Sequence, residues 1–170
     1  MTVPVIETER LTLRPLRASD AGLISLHAGD RRVAKMTTRI PHPYPPGAAE
    51  GLIERTLRDD AGESVWALDA TKIDGEEVLG VISIADNGEV GYWIAPPFWR
   101  TGYATEALAA IISYHFSISD VSLKAQVFQD NDASAAILTT AGFNYLGEGE
   151  AYSVARGATH PIWTYKRDAK

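Results

Sequence analysis

Arg100, Thr101 and Gly102 stand between a predicted strand and the longest predicted helix, and their types suit the binding of an anion. The first turn of a helix leaves four backbone N–H groups without partners inside the helix, and the helix dipole adds partial positive charge at the same end. A glycine lets the backbone approach a phosphate closely, while hydroxyl and guanidinium groups add hydrogen bonds to it. This junction is therefore predicted to bind a phosphate or diphosphate group.

A second interpretation of the same junction is purely structural. Thr101 could cap the helix with its hydroxyl, and the small residues Ala104 and Ala107 could pack closely against a neighbouring element. The junction has neither the G-x-G-x-x-G pattern of a dinucleotide-binding fold nor the G-K-[ST] pattern of a P-loop. Neither of those two nucleotide sites is predicted.

The elements that must position this junction form a predicted β–α–β unit. A strand at residues 89–95 precedes the junction, a helix over 102–117 follows it, and a strand over 121–128 comes next. Such units are right-handed and place their two strands in parallel. The remaining elements predicted from periodicity and turn signals are strands at 10–15, 64–69, 78–85, 143–149 and 161–167, and helices at 21–29, 48–60 and 132–141. This order predicts an α+β domain (an α/β arrangement with a mixed sheet).

Composition restricts the classes of function. The chain has 170 residues, which suits one domain over 1–170 with a core from about residue 8 to residue 168. Its net charge of −6 argues against non-specific binding of nucleic acid. The absence of cysteine excludes a disulfide, a thiolate metal site and a cysteine nucleophile. With no apolar run long enough to span a bilayer and no secretory signal, a soluble cytoplasmic protein is predicted.

Four segments together resemble a known family. The run WRTGYATEA at 99–107 resembles the acyl-CoA pyrophosphate loop of the GCN5-related N-acetyltransferases (GNAT), and more narrowly that of the RimJ/RimL-like branch. The opening ETERLTLRPL at 7–16 and GYWIAP at 91–96 are similar to strands of that branch. A fourth similarity, to its closing strand–helix–strand, rests on Asp130, Asn131, Ser134, Gly142 and Phe143.

The resemblance implies a GNAT-like fold, with a central mixed sheet of about seven strands flanked by about four helices and with splayed fourth and fifth strands. It implies acetyl-CoA as co-substrate and no metal. The amides of 100–105 would bind the CoA diphosphate, the pantetheine arm would lie along β-strand residues 93–95, and the Ile94 amide would face the thioester oxygen. The implied cofactor-binding residues are Trp93, Ile94, Ala95, Arg100, Thr101, Gly102, Tyr103, Ala104, Thr105, Asn131 and Ser134.

Proton transfer is less well defined by the sequence. Many family members carry a tyrosine in the helix before Gly-Phe as general acid to the leaving thiolate, and the matching residue here is Leu138. That role passes to Ser134, to a tyrosine elsewhere or to water. Glu89 is the leading carboxylate for acceptor binding or base catalysis, with a solvated turn residue as the alternative. Glu106, in the first turn of the long helix, is favoured as a partner of the helix dipole.

The acceptor side carries fewer signals. His27, Tyr44 and Glu150 are predicted to line an acceptor pocket, with Tyr44 in the proline-rich loop at 41–47. The four histidines lack the spacing of a metal site. The basic cluster formed by Arg31, Arg32, Lys35 and Arg39 is either a solvated face or a contact for the 3′-phosphate of CoA or for an acidic acceptor.

The predicted function is therefore that of an N-acetyltransferase. It would transfer an acetyl group from acetyl-CoA to a primary amine (a protein N-terminus, an amino acid or a small amine) by direct attack in a ternary complex. A monomer or homodimer is expected, with no nucleic-acid or membrane partner. Two alternatives stay open: a non-catalytic acyl-CoA-binding module, and an α/β domain that binds some other phosphate at the helix terminus.

Overall fold

The computed structural model describes residues 3–169 as eight strands and five α-helices. A five-stranded antiparallel sheet has the order β1-β2-β3-β4-β5, with β1 Ile6–Glu7, β2 Thr12–Arg14, β3 Glu63–Asp69, β4 Gly80–Ala85 and β5 Val90–Ile94. A three-stranded antiparallel sheet has the order β6-β8-β7, with β6 Leu123–Phe128, β7 Asn144–Ser153 and β8 Ala158–Arg167. The helices are α1 Ala21–Ala28, α2 Arg31–Ala34, α3 Ala48–Thr56, α4 Tyr103–Ile118 and α5 Asp132–Thr140.

The two sheets are joined where β5 and β6 begin. Glu89 lies opposite Lys124 in a parallel bridge, and the Lys124 amide donates to the Gly88 carbonyl at 2.9 Å. No further pairing joins β5 to β6 within the described residues, so the two strands diverge toward Ile94 and Phe128. We call the opening between them the strand gap, with its closed end at Glu89 and its open end at Ile94. The expected α+β fold with two splayed strands is confirmed. The single mixed sheet of about seven strands with about four helices is instead, over the described residues, two antiparallel sheets with eight strands and five helices, and this one parallel bridge is their junction.

Helices cover both faces of the five-stranded sheet. The larger core lies between the sheets and the α4–α5 side, and it includes Trp66 of β3, Ile111 of α4 and Leu138 of α5. A smaller core joins the opposite face to α1 and α3. Because successive strand residues point to opposite faces, Tyr92 packs on the α4–α5 side and Trp93 packs on the α1–α3 side.

The structure adds short elements that the sequence pattern did not predict. Helix α2 has four residues, which is too short to show a helical period, and β1 has two. The final hairpin is longer than expected, with ten residues in each strand. β7 is an edge strand with mostly exposed side chains, so its apolar alternation is weak. β7 contains a bulge between Tyr145 and Gly147.

Two negative observations hold for the part of the chain that the structure describes. No helix in residues 3–169 combines the length and the apolar character that a membrane span requires. Over the same residues, no group of three or more metal-ligating side chains is arranged to hold an ion.

Candidate functional site

The junction before α4 forms a cradle of backbone amides that have no partner within the described part of the chain. A 3-10 turn over Pro96–Phe98 follows β5, and the chain then reverses through two left-handed residues, Arg100 at φ +62° and Gly102 at φ +83°. Left-handed backbone is unfavourable for a residue with a Cβ, at a cost of about 1–3 kcal/mol for Arg100, and such strain is concentrated at functional sites. Among the described residues, no acceptor lies against the amides of 101–105. The loop thus presents N–H groups and the positive end of α4 to solvent.

Arg10 holds this loop from the side of the first strands. Its Nε donates to Glu106 Oε1 at 2.8 Å, its Nη1 donates to the Thr101 carbonyl at 2.9 Å, and its guanidinium lies 4.3 Å from the centre of the Tyr103 ring. Glu106 also accepts hydrogen bonds from the Thr8 hydroxyl and the Arg10 amide. Burial raises the pKa of Glu106, but these hydrogen bonds outweigh it, and the net pKa lies below the ordinary value. Glu106 therefore does more than complement the dipole, because it anchors Arg10 under the loop.

Two side chains of the loop are engaged within it. The Thr101 hydroxyl donates to the Phe98 carbonyl, and α4 has no side-chain cap. The capping role considered for that hydroxyl is therefore not formed. Trp99 Nε1 donates to the Ile94 carbonyl at 2.6 Å, which ties the loop to the end of β5.

The backbone of β5 leaves polar groups directed into the strand gap. The Ala85 amide donates to the Glu89 carbonyl and the Ala95 amide donates to the Leu79 carbonyl, so alternate residues of β5 bond to β4. By the alternation of antiparallel ladders, the amides of Tyr92 and Ile94 point the other way, toward β6. β6 does not pair with them. Within the described residues no backbone acceptor pairs with the Ile94 amide, which is therefore a donor available at the open end of the gap.

A hydroxyl pair bridges the gap from β5 to α5. The Tyr92 hydroxyl lies 2.7 Å from Ser134 Oγ, and Ser134 is buried. Burial raises the pKa of Tyr92 to about 12, and the Ser134 contact lowers it only in part, so this phenol stays protonated at neutral pH. The sequence alone did not indicate which tyrosine could lie near the leaving thiolate. The position of Tyr92, two residues before Ile94 and on the same side of the strand, was the available signal.

Asn131 and Leu138 set the geometry of α5. Asn131 Oδ1 caps the helix by accepting from the Ser134 amide at 3.3 Å. This contact fixes the first turn, in which Ser134 faces Tyr92. Leu138 is fully buried in the larger core. Position 138 therefore packs in the core and offers no hydroxyl. Ser134 is the α5 side chain that faces Tyr92 at the gap.

Helix α2 and the tip of the β7–β8 hairpin meet at the open end. Arg156 Nε donates to the Lys35 carbonyl at 2.7 Å, and its two terminal nitrogens bond both oxygens of Asp130, two residues after β6, at 2.8 and 2.9 Å. The Val154 amide donates to the Thr38 carbonyl. We call this set of contacts the hairpin clasp. Sequence reasoning missed Arg156 because no local pattern links residue 156 to residues 35 and 130.

The other residues singled out by sequence lie at several places. Glu89 is exposed at the closed end of the gap, five residues or about 16 Å from Ile94 along β5. His27 is buried with Nε2 2.9 Å from Glu76 Oε2. Tyr44 packs on the α1–α3 core, where burial raises its pKa. Glu150 is exposed on β7 opposite Pro161. Among the described residues, no hydrogen bond, ion pair or ring contact joins His27, Tyr44 and Glu150 to one another. His115 contacts the Val121 carbonyl in a structural role.

Comparison with known proteins gives one family. A family model described as an acetyltransferase (GNAT) domain matches residues 10–144. The chain is 29% identical over 171 residues to the uncharacterized N-acetyltransferase YoaA of Bacillus subtilis (strain 168), covering 95% of each chain.

Two solved structures illustrate the similarity of fold. RimL, a ribosomal L7/L12 α-N-protein acetyltransferase in complex with coenzyme A, superposes with a TM-score of 0.83 at 17% identity, covering 97% of this chain and 98% of RimL. The microcin C7 self-immunity acetyltransferase MccE, in complex with acetyl-CoA and AMP, gives a TM-score of 0.79 at 17% identity, covering 94% and 93%.

Proposed function

The chain belongs to the GNAT acetyltransferase family and is an acyltransferase, and from this premise we propose that it transfers the acetyl group of acetyl-CoA to the primary amine of an acceptor by direct attack. The observation that carries the proposal is the combination of the amide cradle at 101–105 with the Ile94 amide directed toward the open end of the strand gap. A diphosphate and a thioester carbonyl are the two groups of acetyl-CoA that need such donors.

The cofactor would be bound by backbone along most of its length. The amides of Thr101–Thr105 would hold the diphosphate, with Arg100 at its edge and with Arg10 supporting the loop from beneath. The pantetheine arm would enter the strand gap and pair with the gap-facing edge of β5, next to Trp93 and Ala95. Acetyl-CoA complexes of a neighbour with the same fold, MccE, support this cofactor.

The Ile94 amide would stabilise the reacting carbonyl. Attack by the amine nitrogen forms a C–N bond and moves the carbonyl electron pair onto oxygen, and the Ile94 N–H donates to that oxyanion. A donor already oriented in a site sheltered from water contributes about 10²–10³-fold to such steps. The nitrogen, positively charged after the attack, loses a proton to water, and collapse of the intermediate breaks the C–S bond and releases the CoA thiolate.

Ser134 would donate a hydrogen bond to the departing sulfur. If the Tyr92 hydroxyl donates to Ser134 Oγ, the serine proton is free to point toward the thiolate. A phenol with a pKa of about 12 keeps its proton against a thiolate of pKa about 8.5, so Tyr92 orients Ser134 rather than titrating. Asn131 would fix the same turn of α5 by its cap.

The amine must lose a proton before it attacks. At pH 7 this costs about 1.4 kcal/mol for an α-amino group of pKa about 8, and about 4.6 kcal/mol for a lysine side chain of pKa about 10.4. Asp130, a carboxylate two residues after β6, is bound to Arg156, which lowers its pKa, and Glu89 lies at the closed end. The arrangement favours an α-amino acceptor that loses its proton to water.

A non-catalytic acyl-CoA-binding module is the alternative, and Leu138 in place of a tyrosine is the observation that favours it. The hydrogen-bonded Tyr92–Ser134 pair argues against this alternative, because it supplies a hydroxyl at the gap in place of the one that Leu138 lacks.

A thiol-release assay with acetyl-CoA and a panel of amines tests the proposal, beside thermal shifts with CoA, NAD and ATP. We expect amine-dependent release of CoA and a rise in melting temperature with CoA alone, since a ligand stabilises the state that binds it. Binding of CoA without turnover of any amine would establish the non-catalytic module instead. A shift with NAD or ATP and none with CoA would reject both.

A further inference from the structure

Helix α2 crosses the open end of the strand gap. Near the end of β5, the Arg32 guanidinium lies 6.0 Å from the centre of the Trp99 ring, and Trp99 is bonded to the Ile94 carbonyl. Near the end of β6, the Lys35 carbonyl accepts from Arg156, which holds Asp130. The segment 31–35 therefore touches structure attached to both diverging strands. It lies beside the open end of the gap.

The crossing segment carries more positive than negative charge. Arg32 is paired with Asp30 at 2.8 Å, and Asp130 is paired with Arg156 at 2.8 Å. Arg31 and Lys35, one helical turn apart, form no ion pair with any described side chain, and Lys35 is close enough to Asp130 to contribute to its lowered pKa. The carboxylates next to α2 are thus already neutralised, while two cations are not. This local excess stands on a chain whose net charge is −6.

From this arrangement we infer that the acceptor is an amine carried on an anionic molecule, and that Arg31 and Lys35 bind its carboxylates at the mouth of the gap. The inference rests on the proposed transfer from acetyl-CoA and names the class of substrate for it. The recognised chemistry is an α-amino group with one or more carboxylates close by. An acidic peptide N-terminus and a free dicarboxylic amino acid both have it. Cationic amines such as polyamines meet unpaired positive charge and are poor acceptors.

Electrostatic steering predicts how the use of acidic acceptors should depend on salt. Charges at the rim of a site raise the rate of encounter with a ligand of opposite sign, and salt screens the effect over about 10 Å at 0.1 M ionic strength. The preference for acidic acceptors should therefore weaken as salt is added. The turnover number at saturation should change little, because neither Arg31 nor Lys35 contacts the reacting atoms.

The test compares two peptides that share the same N-terminal residue, one followed by aspartates and one by lysines, with aspartic acid as a third acceptor. For the wild-type protein we expect kcat/KM to be at least about tenfold higher for the acidic peptide. Turnover of aspartic acid shows whether the carboxylates of a free amino acid are recognised, or only those of a peptide. In Lys35→Glu, and separately in Arg31→Glu, the ratio of the two peptides should fall toward one, while KM for acetyl-CoA stays the same.

Lys124→Glu is the matched control. Lys124 is exposed at the closed end of the gap, four residues from Phe128 or about 13 Å, and its reversal changes the net charge by the same amount. An equal loss in Lys124→Glu would assign the effect to overall charge and overturn the inference. So would equal use of both peptides by the wild type, or a rise in KM for acetyl-CoA in Lys35→Glu, which would assign the cluster to the cofactor. Acetylation of neither peptide nor aspartic acid by a protein that turns over other amines would also overturn it, and turnover of no amine would reject the proposed function itself.

Discussion

The contact between the Tyr92 and Ser134 hydroxyls is where single atoms decide the chemistry. The two oxygens lie 2.7 Å apart across the strand gap, one on a strand and one on a helix. A serine alone in this gap would rotate freely, whereas a neighbouring phenol of raised pKa fixes which way its proton points. The arrangement offers a substitute for the tyrosine that Leu138 replaces.

We predict that Ser134→Ala lowers kcat by about 10²-fold and that Tyr92→Phe lowers it by about tenfold, with KM for acetyl-CoA nearly unchanged in both. The reason is that, in the proposed mechanism, the two hydroxyls act on the leaving sulfur and not on cofactor binding. Steady-state kinetics measure the split. With an acetyl donor whose leaving thiol is more acidic, the loss in Ser134→Ala should shrink, and a loss of equal size with both donors would contradict the proposed role. Thr139→Ala, exposed on α5 and bonded to its own helix, is the control.

At the scale of elements, the cradle depends on the backbone shape at the start of α4. Gly102 has φ +83°, and a Cβ there would lie 3.2 Å from Arg10 Nη2. A side chain at this position is strained by about 1–2 kcal/mol. It would also push away the guanidinium that bonds the Thr101 carbonyl.

Gly102→Ala is therefore expected to lower the free energy of unfolding by about 1–2 kcal/mol and to raise KM for acetyl-CoA more than it changes kcat. Urea denaturation and initial rates provide the two measurements. The control is Gly22→Ala, in helix α1, where a new Cβ meets nothing within 4 Å and should stabilise by about 0.4–1 kcal/mol. An unchanged KM for acetyl-CoA in Gly102→Ala would show that the loop does not bind the cofactor.

The hairpin clasp links three elements through the Arg156 side chain, of which 11% is exposed. Arg156→Met leaves the Lys35 carbonyl and Asp130 without their donor, and we expect it to cost about 1–3 kcal/mol of stability. Because the clasp stands at the open end, KM for the acceptor should rise more than KM for acetyl-CoA. Arg58→Met, which removes the exposed ion pair with Glu54, should change neither the stability nor either KM value. Equal changes of both KM values in Arg156→Met would argue against a role specific to the acceptor side.

At the scale of the whole molecule, a buried group of ion pairs joins β2 to β3 and to the start of α1. Arg14 bonds Asp20 with two nitrogens at 2.9 Å and bonds Asp69 at 2.8 Å, and all three residues are buried. Burial raises the pKa of Asp69, but its hydrogen bonds with Arg14 and Thr71 outweigh this and leave the pKa below the ordinary value. The group therefore couples folding to pH.

A carboxyl whose folded pKa is lowered stabilises the protein above its unfolded pKa, near 4, and this contribution is lost as the pH falls through the folded pKa. We predict that the urea midpoint of the wild type is level near pH 6–7 and decreases below about pH 4. Arg14→Met should lose about 3–5 kcal/mol at pH 7 because two buried carboxylates lose their cation.

In Arg14→Met the dependence of stability on pH should have the opposite sign. Buried carboxylates without a cation have raised pKa values, so this variant should regain stability between pH 7 and pH 5. Arg58→Met, at an exposed ion pair with Glu54, should keep the wild-type pH profile. A midpoint for Arg14→Met that decreases with acid in parallel with the wild type would contradict this account.

Local patterns in the sequence were sufficient for the features that depend on neighbours along the chain. Alternation and helical spacing predicted β5, α4 and β6 to within about two residues, because each buries one face. Gly102 and the free amides after it were predictable because any helix start leaves its first N–H groups unpaired. The resemblance of 99–107 to a pyrophosphate loop, and with it the family, also needed only the order of residues.

Tertiary structure alone decided which distant groups meet. Tyr92 and Ser134 are 42 residues apart, Arg10 and Glu106 are 96 apart, and Arg156 is 121 residues from Lys35. Only the divergence of β5 from β6 brings the first pair together, and only the long hairpin carries Arg156 back to α2. Hydroxyl, carboxylate and guanidinium contacts of this kind leave no periodic trace in the sequence, because their partners are chosen by the packing of sheets and helices and not by spacing along the chain.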